Sequence, residues 1–216
     1  MTRSIRLAIV GLVALAACAP PLTGTFSGTK VNPWFPLVPG TTWVYQGVDE
    51  GRFVTDVVHV TDQTRAITDN GVTVQATVVT DDVYRVCSGT QPSPCYFHAE
   101  QTQDFYATAD DGTVWYVGEE TAELNQAGQV TSTAGSWQAG VGGAHGGVFM
   151  SADPQVGQAF QQESAPDAKD FFQIDAIIFD TMGVHEWSPL EPGVIEHKQY
   201  ERGVGLTMDG GLALVR

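Results

Sequence analysis

The sequence predicts an all-β, mainly antiparallel domain: a single sheet, sandwich or partly open barrel with at most one or two short helices. Three observations carry this expectation. With 43% hydrophobic and only 16% charged residues, the chain can build a sizeable core and is too apolar for a disordered protein. Its 24 glycines, its many Thr and Val residues and its scarcity of lysine (Lys30, Lys169 and Lys198) are the composition of a turn-rich β protein. Short β-branched or aromatic runs recur about every ten to fifteen residues between turn formers. No segment keeps a long helical period, so the crossover helices that a parallel sheet needs are not in view.

The chain begins with a leader over residues 1–18. Arg3 and Arg6 precede an apolar run from Leu7 to Ala17, far shorter than the ~20 residues that cross a bilayer. The run closes as Leu15-Ala16-Ala17-Cys18, which resembles the lipobox of bacterial lipoproteins. That resemblance implies cleavage before Cys18 and acylation of Cys18, with palmitate among the chains. Each buried CH₂ contributes about 0.8 kcal/mol, so two or more chains anchor the protein lastingly to a membrane. Ala19 follows the cysteine where Asp would mark inner-membrane retention, which points toward the outer membrane if the host has one. Residues 19–30 are polar and rich in breakers and read as a flexible tether. Residues 31–216 then form one β-rich domain.

The domain opens on Val31 to Gly40, where Pro33, Pro36 and Pro39 exclude a helix or a central strand. Thr41–Gln46, Phe53–Thr61 and Val72–Thr80 follow as strands, with Asp69-Asn70-Gly71 as a hairpin turn. Val83–Val86 and Tyr96–Ala99 flank Cys87 and Cys95 as a hairpin. Asp104–Thr108 and Thr113–Val117 flank Ala109-Asp110-Asp111-Gly112 as another. Glu119–Gln126 could form one short helix. Later strands are expected at Gln129–Thr133, Gln158–Gln162, Phe171–Phe179, Gly193–Tyr200 and Leu212–Val215. An exported chain meets an oxidising compartment. With Cys18 acylated, Cys87 and Cys95 are left to form a disulfide around a loop of turn formers.

Four blocks carry a wider resemblance: Asn32-Pro33-Trp34-Phe35-Pro36-Leu37-Val38-Pro39-Gly40-Thr41-Thr42-Trp43-Val44-Tyr45; Asp104 to Ala107 with Asp111 to Glu119; Gly135 to Val141; and Pro189 to Gly193 with Glu196 to Tyr200 and Gly203 to Leu206. Together they resemble a family of uncharacterised exported bacterial proteins and reach across nearly the whole domain. The resemblance implies a single exported domain and implies no particular activity. The loop from Cys87 to Cys95 departs from the pattern as a local elaboration.

Net charge is −15, and loss of Arg3 and Arg6 with the leader makes it two units more negative. Such a surface repels nucleic acid and anionic headgroups, so nucleic acid is excluded as a partner. Carboxylates at strand ends suit Ca²⁺, which takes roughly six to eight oxygen ligands. Asp111, Glu119, Asp167 and Asp170 are the candidate ligands, although Asp110-Asp111-Gly112 lacks the spacing of a calcium loop. Asp170 and Glu119 are also the candidates for a carboxylate-dependent hydrolase. His59, His98, His145, His185 and His197 show no paired zinc spacing, and each is expected to be solvated or hydrogen-bonded. Gly140 to Gly147 holds five glycines without the Lys-Ser/Thr ending of a phosphate loop and reads as a mobile or tight-turning loop. Of the five tryptophans, Trp137 beside this loop is the one expected at the surface, and with His145 it is the candidate for ligand binding. The sequence favours a non-catalytic binding or structural role in the envelope, with a cation- or carbohydrate-binding module as the alternative and a hydrolase behind it. No resident cofactor is expected apart from Ca²⁺.

Overall fold

The computed structural model describes residues 21–49, 51–87 and 95–215. Among them there is no helix, and fifteen strands make one antiparallel sheet. A first meander runs through β1 (Thr42–Asp49), β2 (Arg52–Asp69), β3 (Val72–Val86), β4 (Tyr96–Thr108) and β5 (Val114–Leu124). Next, β6 (Val130–Ser132), β7 (Trp137–Gln138) and β8 (His145–Met150) all pair with β5. Then come β9 (Ala159–Gln161) and β10 (Glu163–Ser164). A second meander, β11 (Phe171–Ile178), β12 (Thr181–Trp187), β13 (Glu196–Glu201), β14 (Gly205–Asp209) and β15 (Leu212–Leu214), returns to pair with β1.

The sheet closes on itself almost completely. In its strand order β10 lies at one end, on β8, and β9 lies at the other, on β11. Gln162 alone separates β9 from β10 in the chain, so the two ends must meet. Gly147 of β8 makes this approach possible, because a Cβ there would overlap the carbonyl oxygens of Gln161 and Gln162. The result is a nearly closed barrel, the partly open form among the expected architectures. Closure leaves few free sheet edges for pairing with another chain.

Most expected strands are present but longer, because pairing continues past the local β-branched runs. The Asn70-Gly71 turn takes φ of 49° and 79°, the left-handed pair that a tight hairpin needs. Glu119–Gln126 is not a helix: β5 continues to Leu124, with Glu119 opposite Asp104 and Glu123 opposite Glu100. Cross-strand pairing there overrides the helical propensity of Glu and Ala. The glycine segment is a tight turn at Gly140, Gly142 and Gly143, but from His145 onward it is a strand. Part of the expected tether is docked. Leu22 is 1% exposed, and the Asp110 amide donates to the Thr25 carbonyl at 2.8 Å. Buried Asn32 fastens the proline-rich segment, its amide donating to the carbonyls of Gly112 and Ser151, each at 2.9 Å. Cys87 and Cys95 are bridged, with Cα atoms 5.4 Å apart. Cys18 lies outside the described residues.

Strands β3, β4 and β5 are buried on both faces. One face carries Val74, Ala76, Val78, Phe105, Trp115 and Val117, all buried. Segment 137–146 lies over this face, with the Ala139 amide donating to the Val117 carbonyl at 3.0 Å. The other face looks into the barrel.

Candidate functional site

The barrel holds a partly open cavity of about 210 Å³. Alternation decides what lines it, since successive residues of a strand point to opposite faces. On β3 the partner of Val58 is Asp81; on β4 Asp104 and Tyr106 face inward, and on β5 Tyr116 does. From the second meander come Glu186 of β12, Lys198 and Tyr200 of β13, and Asp209 of β14. The closing segment adds Glu163, and Asp170 precedes β11. Six carboxyl groups and one ammonium therefore share a wall with the rings of Phe35, Trp43, Tyr45, Tyr106, Tyr116 and Phe149. The rings form a continuous aromatic group: Tyr106 stacks on Tyr116 at 4.8 Å, and Phe35 and Phe149 meet Tyr106 at 5.1 and 4.9 Å.

Three polar constellations define the site. In the first, Tyr116 Oη lies 2.6 Å from Asp104 Oδ1 and 2.7 Å from Glu119 Oε2. A tyrosine hydroxyl has one proton to give, so one contact is completed by a carboxylic acid proton donated to Oη. Burial, reinforced by neighbouring carboxylates, pushes Asp104 well above the usual carboxylate range. Glu119 is pushed up to about 7, mainly by burial and against the Tyr116 hydrogen bond that stabilises its charge. In the second, the carboxyls of Asp56 and Asp81 face each other across β2 and β3 and hydrogen-bond, and Oδ1 of each is buried with no other partner. Burial and mutual repulsion raise both, and one proton held between them relieves the repulsion. In the third, Lys198 Nζ lies 2.7 Å from Glu186 Oε2 and 3.4 Å from Asp209 Oδ2. Burial alone would lower the lysine, but these two carboxylates outweigh it and hold it charged. Burial raises Glu186 while Lys198 draws it down.

Glu163 stands apart. It is 9% exposed and lines the cavity. Its carboxyl lies against the indole of Trp137, whose hydrogen bond draws it down. Burial and the charges of Glu119 and Asp170 push Glu163 well above the carboxylate range.

The four acids expected to gather do not. Asp111 sits in the turn before β5, where its Oδ1 accepts the Thr113 amide at 2.8 Å. It is eight positions before Glu119, about 25 Å along an extended chain. Asp167 is exposed in the loop between β10 and β11. Of the four, Glu119 and Asp170 come near each other, close enough for the Asp170 charge to raise Glu119. Among the described residues no three His, Cys, Asp or Glu side chains are placed to hold a metal ion. Trp137 is not at the surface: it is 8% exposed and meets Tyr116 edge-on at 5.4 Å. Segment 137–146 folds back over β5 and takes the indole inside. His145 is exposed, and its Nδ1 lies 2.9 Å from Asp69 Oδ1. Asp69 also accepts the Gly146 amide at 3.1 Å, so this pair fastens the glycine segment to the β2–β3 hairpin. His59, His98 and His185 each contact a polar neighbour at 2.8 Å, as expected of solvated or hydrogen-bonded histidines.

Sequence reading missed Asp81, Asp104, Glu186, Lys198 and Asp209. A signal exists for some of them. Lys198 and Tyr200 share a strand face, as do Asp104 and Tyr106, and an aromatic two residues away marks an inward position. No family model, curated protein or solved structure matches this chain.

Proposed function

We propose that this chain is an exported, lipid-anchored barrel that binds a small polar ligand in its interior without transforming it. The observation that supports this reading is the cavity inside the barrel and its lining. A barrel with a purely structural role would fill such a space with apolar side chains. Here the space holds six carboxyl groups beside aromatic rings, the mixture of a small-molecule pocket. Binding is favoured over acid–base catalysis because Asp104 and Glu119 are joined through one tyrosine hydroxyl rather than facing each other across a gap for substrate. The ending Leu15-Ala16-Ala17-Cys18 supports anchoring at the envelope.

Two experiments test the reading. Native mass spectrometry of the full-length protein, gently extracted from membranes, should reveal a non-covalent small molecule. A thermal-shift screen should find compounds that raise the midpoint, since a ligand at a hundredfold excess over Kd stabilises by about 2.7 kcal/mol. A protein that carries nothing and responds to nothing would leave only a structural role. Cys18→Ser should move the protein out of the membrane fraction or block its processing; an unmodified Cys18 on membrane-bound protein would remove the anchor.

A further inference from the structure

We infer that the ligand of this cavity is an organic ammonium ion, which enters through a vestibule lined by Asp170, Glu186, Glu191 and Glu196. The inference rests on the ligand-binding reading and names its ligand class.

Charge is the first argument. Asp81, Asp104, Glu163, Asp170, Glu186 and Asp209 line the cavity, and Lys198 is its single basic group. Lys198 is already matched by Glu186 and Asp209. The remaining carboxyls have no cationic partner in the wall; burial favours their protonated form, and a positively charged guest would draw them into the ionised form, whereas an anion would be opposed.

Spare acceptor capacity is the second argument. Glu163 is nine-tenths buried and lines the space with the Trp137 indole at its carboxyl, and Asp81 has the like-charged carboxyl of Asp56 against it. A carboxyl group offers about four lone-pair sites, so each can take a further donor. A primary ammonium brings three N–H donors together with the charge.

The rings are the third. Tyr106, Tyr116, Phe35 and Phe149 present adjoining aromatic surface to the same space. Aromatic faces attract ammonium groups and pack against an apolar body. A bare metal ion makes no use of such surface, and among the described residues no three ligating side chains are placed to hold one. A sugar would stack on the rings but would bring no cation to the carboxyls.

Access is the fourth. A second cavity, about 250 Å³, shares Asp170 and Glu186 with the first. Its other lining residues are Trp187, Ser188, Glu191, Val194 and Glu196, with no basic group among them. Glu191 and Glu196 are exposed. An acidic approach of this kind concentrates cations and speeds their entry.

The test is isothermal titration of the full-length protein in detergent with three salts: tetramethylammonium, phenethylammonium and butane-1,4-diammonium chloride. Each is run beside its uncharged isostere; 2-phenylethanol serves for phenethylammonium. At least one ammonium should bind about tenfold or more tighter than its isostere. Glu163→Gln and Asp81→Asn, both isosteric, should weaken it about tenfold while the proteins stay folded. Glu191→Gln with Glu196→Gln should slow association and flatten its salt dependence without changing the enthalpy of the bound state. An isostere that binds as tightly as its ammonium overturns the ligand class but leaves the ligand-binding reading standing. Absence of binding by every ammonium overturns the inference, and if the uncharged compounds and the thermal-shift screen are silent too, it removes the ligand-binding reading with it.

Discussion

The two faces of strands β3 to β5 are both buried, yet they are built for different ends. On one, Val78 lies opposite Phe105, and Ala107 opposite Trp115. On the other, Asp104 lies opposite Glu119, one residue along the chain from Phe105. Phe105 is 1% exposed and Asp104 is 8% exposed, so burial alone does not distinguish them. Chemistry does. The apolar face removes hydrocarbon from water and stabilises the fold. The carboxyl face costs free energy, because each acid must lose its charge, share a proton or find a cation. A fold that keeps an expensive face beside a profitable one keeps it for something other than stability, and the cavity is where that cost is concentrated.

The sharpest way to break the comparison is to damage the apolar face. Phe105 packs against Val78 and carries the Arg65 guanidinium over its ring at 4.5 Å. Phe105→Ala should cost about 3–5 kcal/mol. For a domain of this size that lowers the thermal midpoint by about 10 °C, measurable by circular dichroism. A loss under about 1 kcal/mol would mean that this face is not the stabilising one.

On the carboxyl face the response should depend on what remains charged. Lys198→Met leaves Glu186 and Asp209 buried without their cation, which should cost about 3 kcal/mol at pH 8. At pH 5 the cost should shrink, because burial already raises Glu186, which can take up a proton once Lys198 is gone. Urea unfolding of this variant at the two pH values decides it. An equal loss at both would show that the lysine stem, not its charge, matters.

The sequence makes the apolar face far more legible than the carboxyl face. Val74, Val78 and Trp115 sit in β-branched and aromatic runs whose alternation announces strands, and Asn70-Gly71 announces the hairpin. The cavity acids sit in segments without that signal. Asp81 adjoins Asp82, so parity alone does not say which one turns inward; that follows from the register of Asp81 against Val58. Glu186 belongs to β12, whose Gly183, His185 and Glu186 weaken the strand pattern. Glu163 faces the cavity only because the sheet closes at Gln162, a long-range event that no local spacing encodes. Turn residues such as Asp111 look like ligands by composition but spend their oxygens on their own backbone.

The carboxyl face also predicts a pH dependence. Glu119 is raised from the ordinary carboxylate value of 4.5 to about 7 on folding. The folded chain therefore holds more protons than the unfolded one between these values, and stability falls as pH rises. The contribution is complete below about 4.5 and lost through about 7. With discount for its partial exposure, Glu119 should make the protein about 2 kcal/mol more stable at pH 5 than at pH 8. Asp104, Glu163 and Asp81 are raised as well and act in the same direction. Glu119→Gln should flatten the profile across that window. A midpoint that climbs from pH 5 to pH 8 would contradict the buried, protonated interior.

The smallest effect belongs to a charge at the rim of the apolar face. Arg65 Nη1 lies 2.6 Å from Glu120 Oε1, but both side chains are substantially exposed, at 36% and 56%. Water competes for each partner, and holding two long side chains in one geometry costs entropy, so Glu120→Gln should cost no more than about 0.5 kcal/mol. Arg65→Ala should cost more than Glu120→Gln, because it also uncovers the Phe105 ring and removes a cation–π contact of about 0.5–1 kcal/mol. Arg65 thus belongs with the face it covers rather than with the acid it touches. Urea unfolding of the two single variants and the double variant at low and high salt separates the terms. The Glu120→Gln loss should fade with salt, whereas the extra loss in Arg65→Ala should persist. Equal losses that vanish together in salt would return Arg65 to the surface, as one half of an ordinary ion pair.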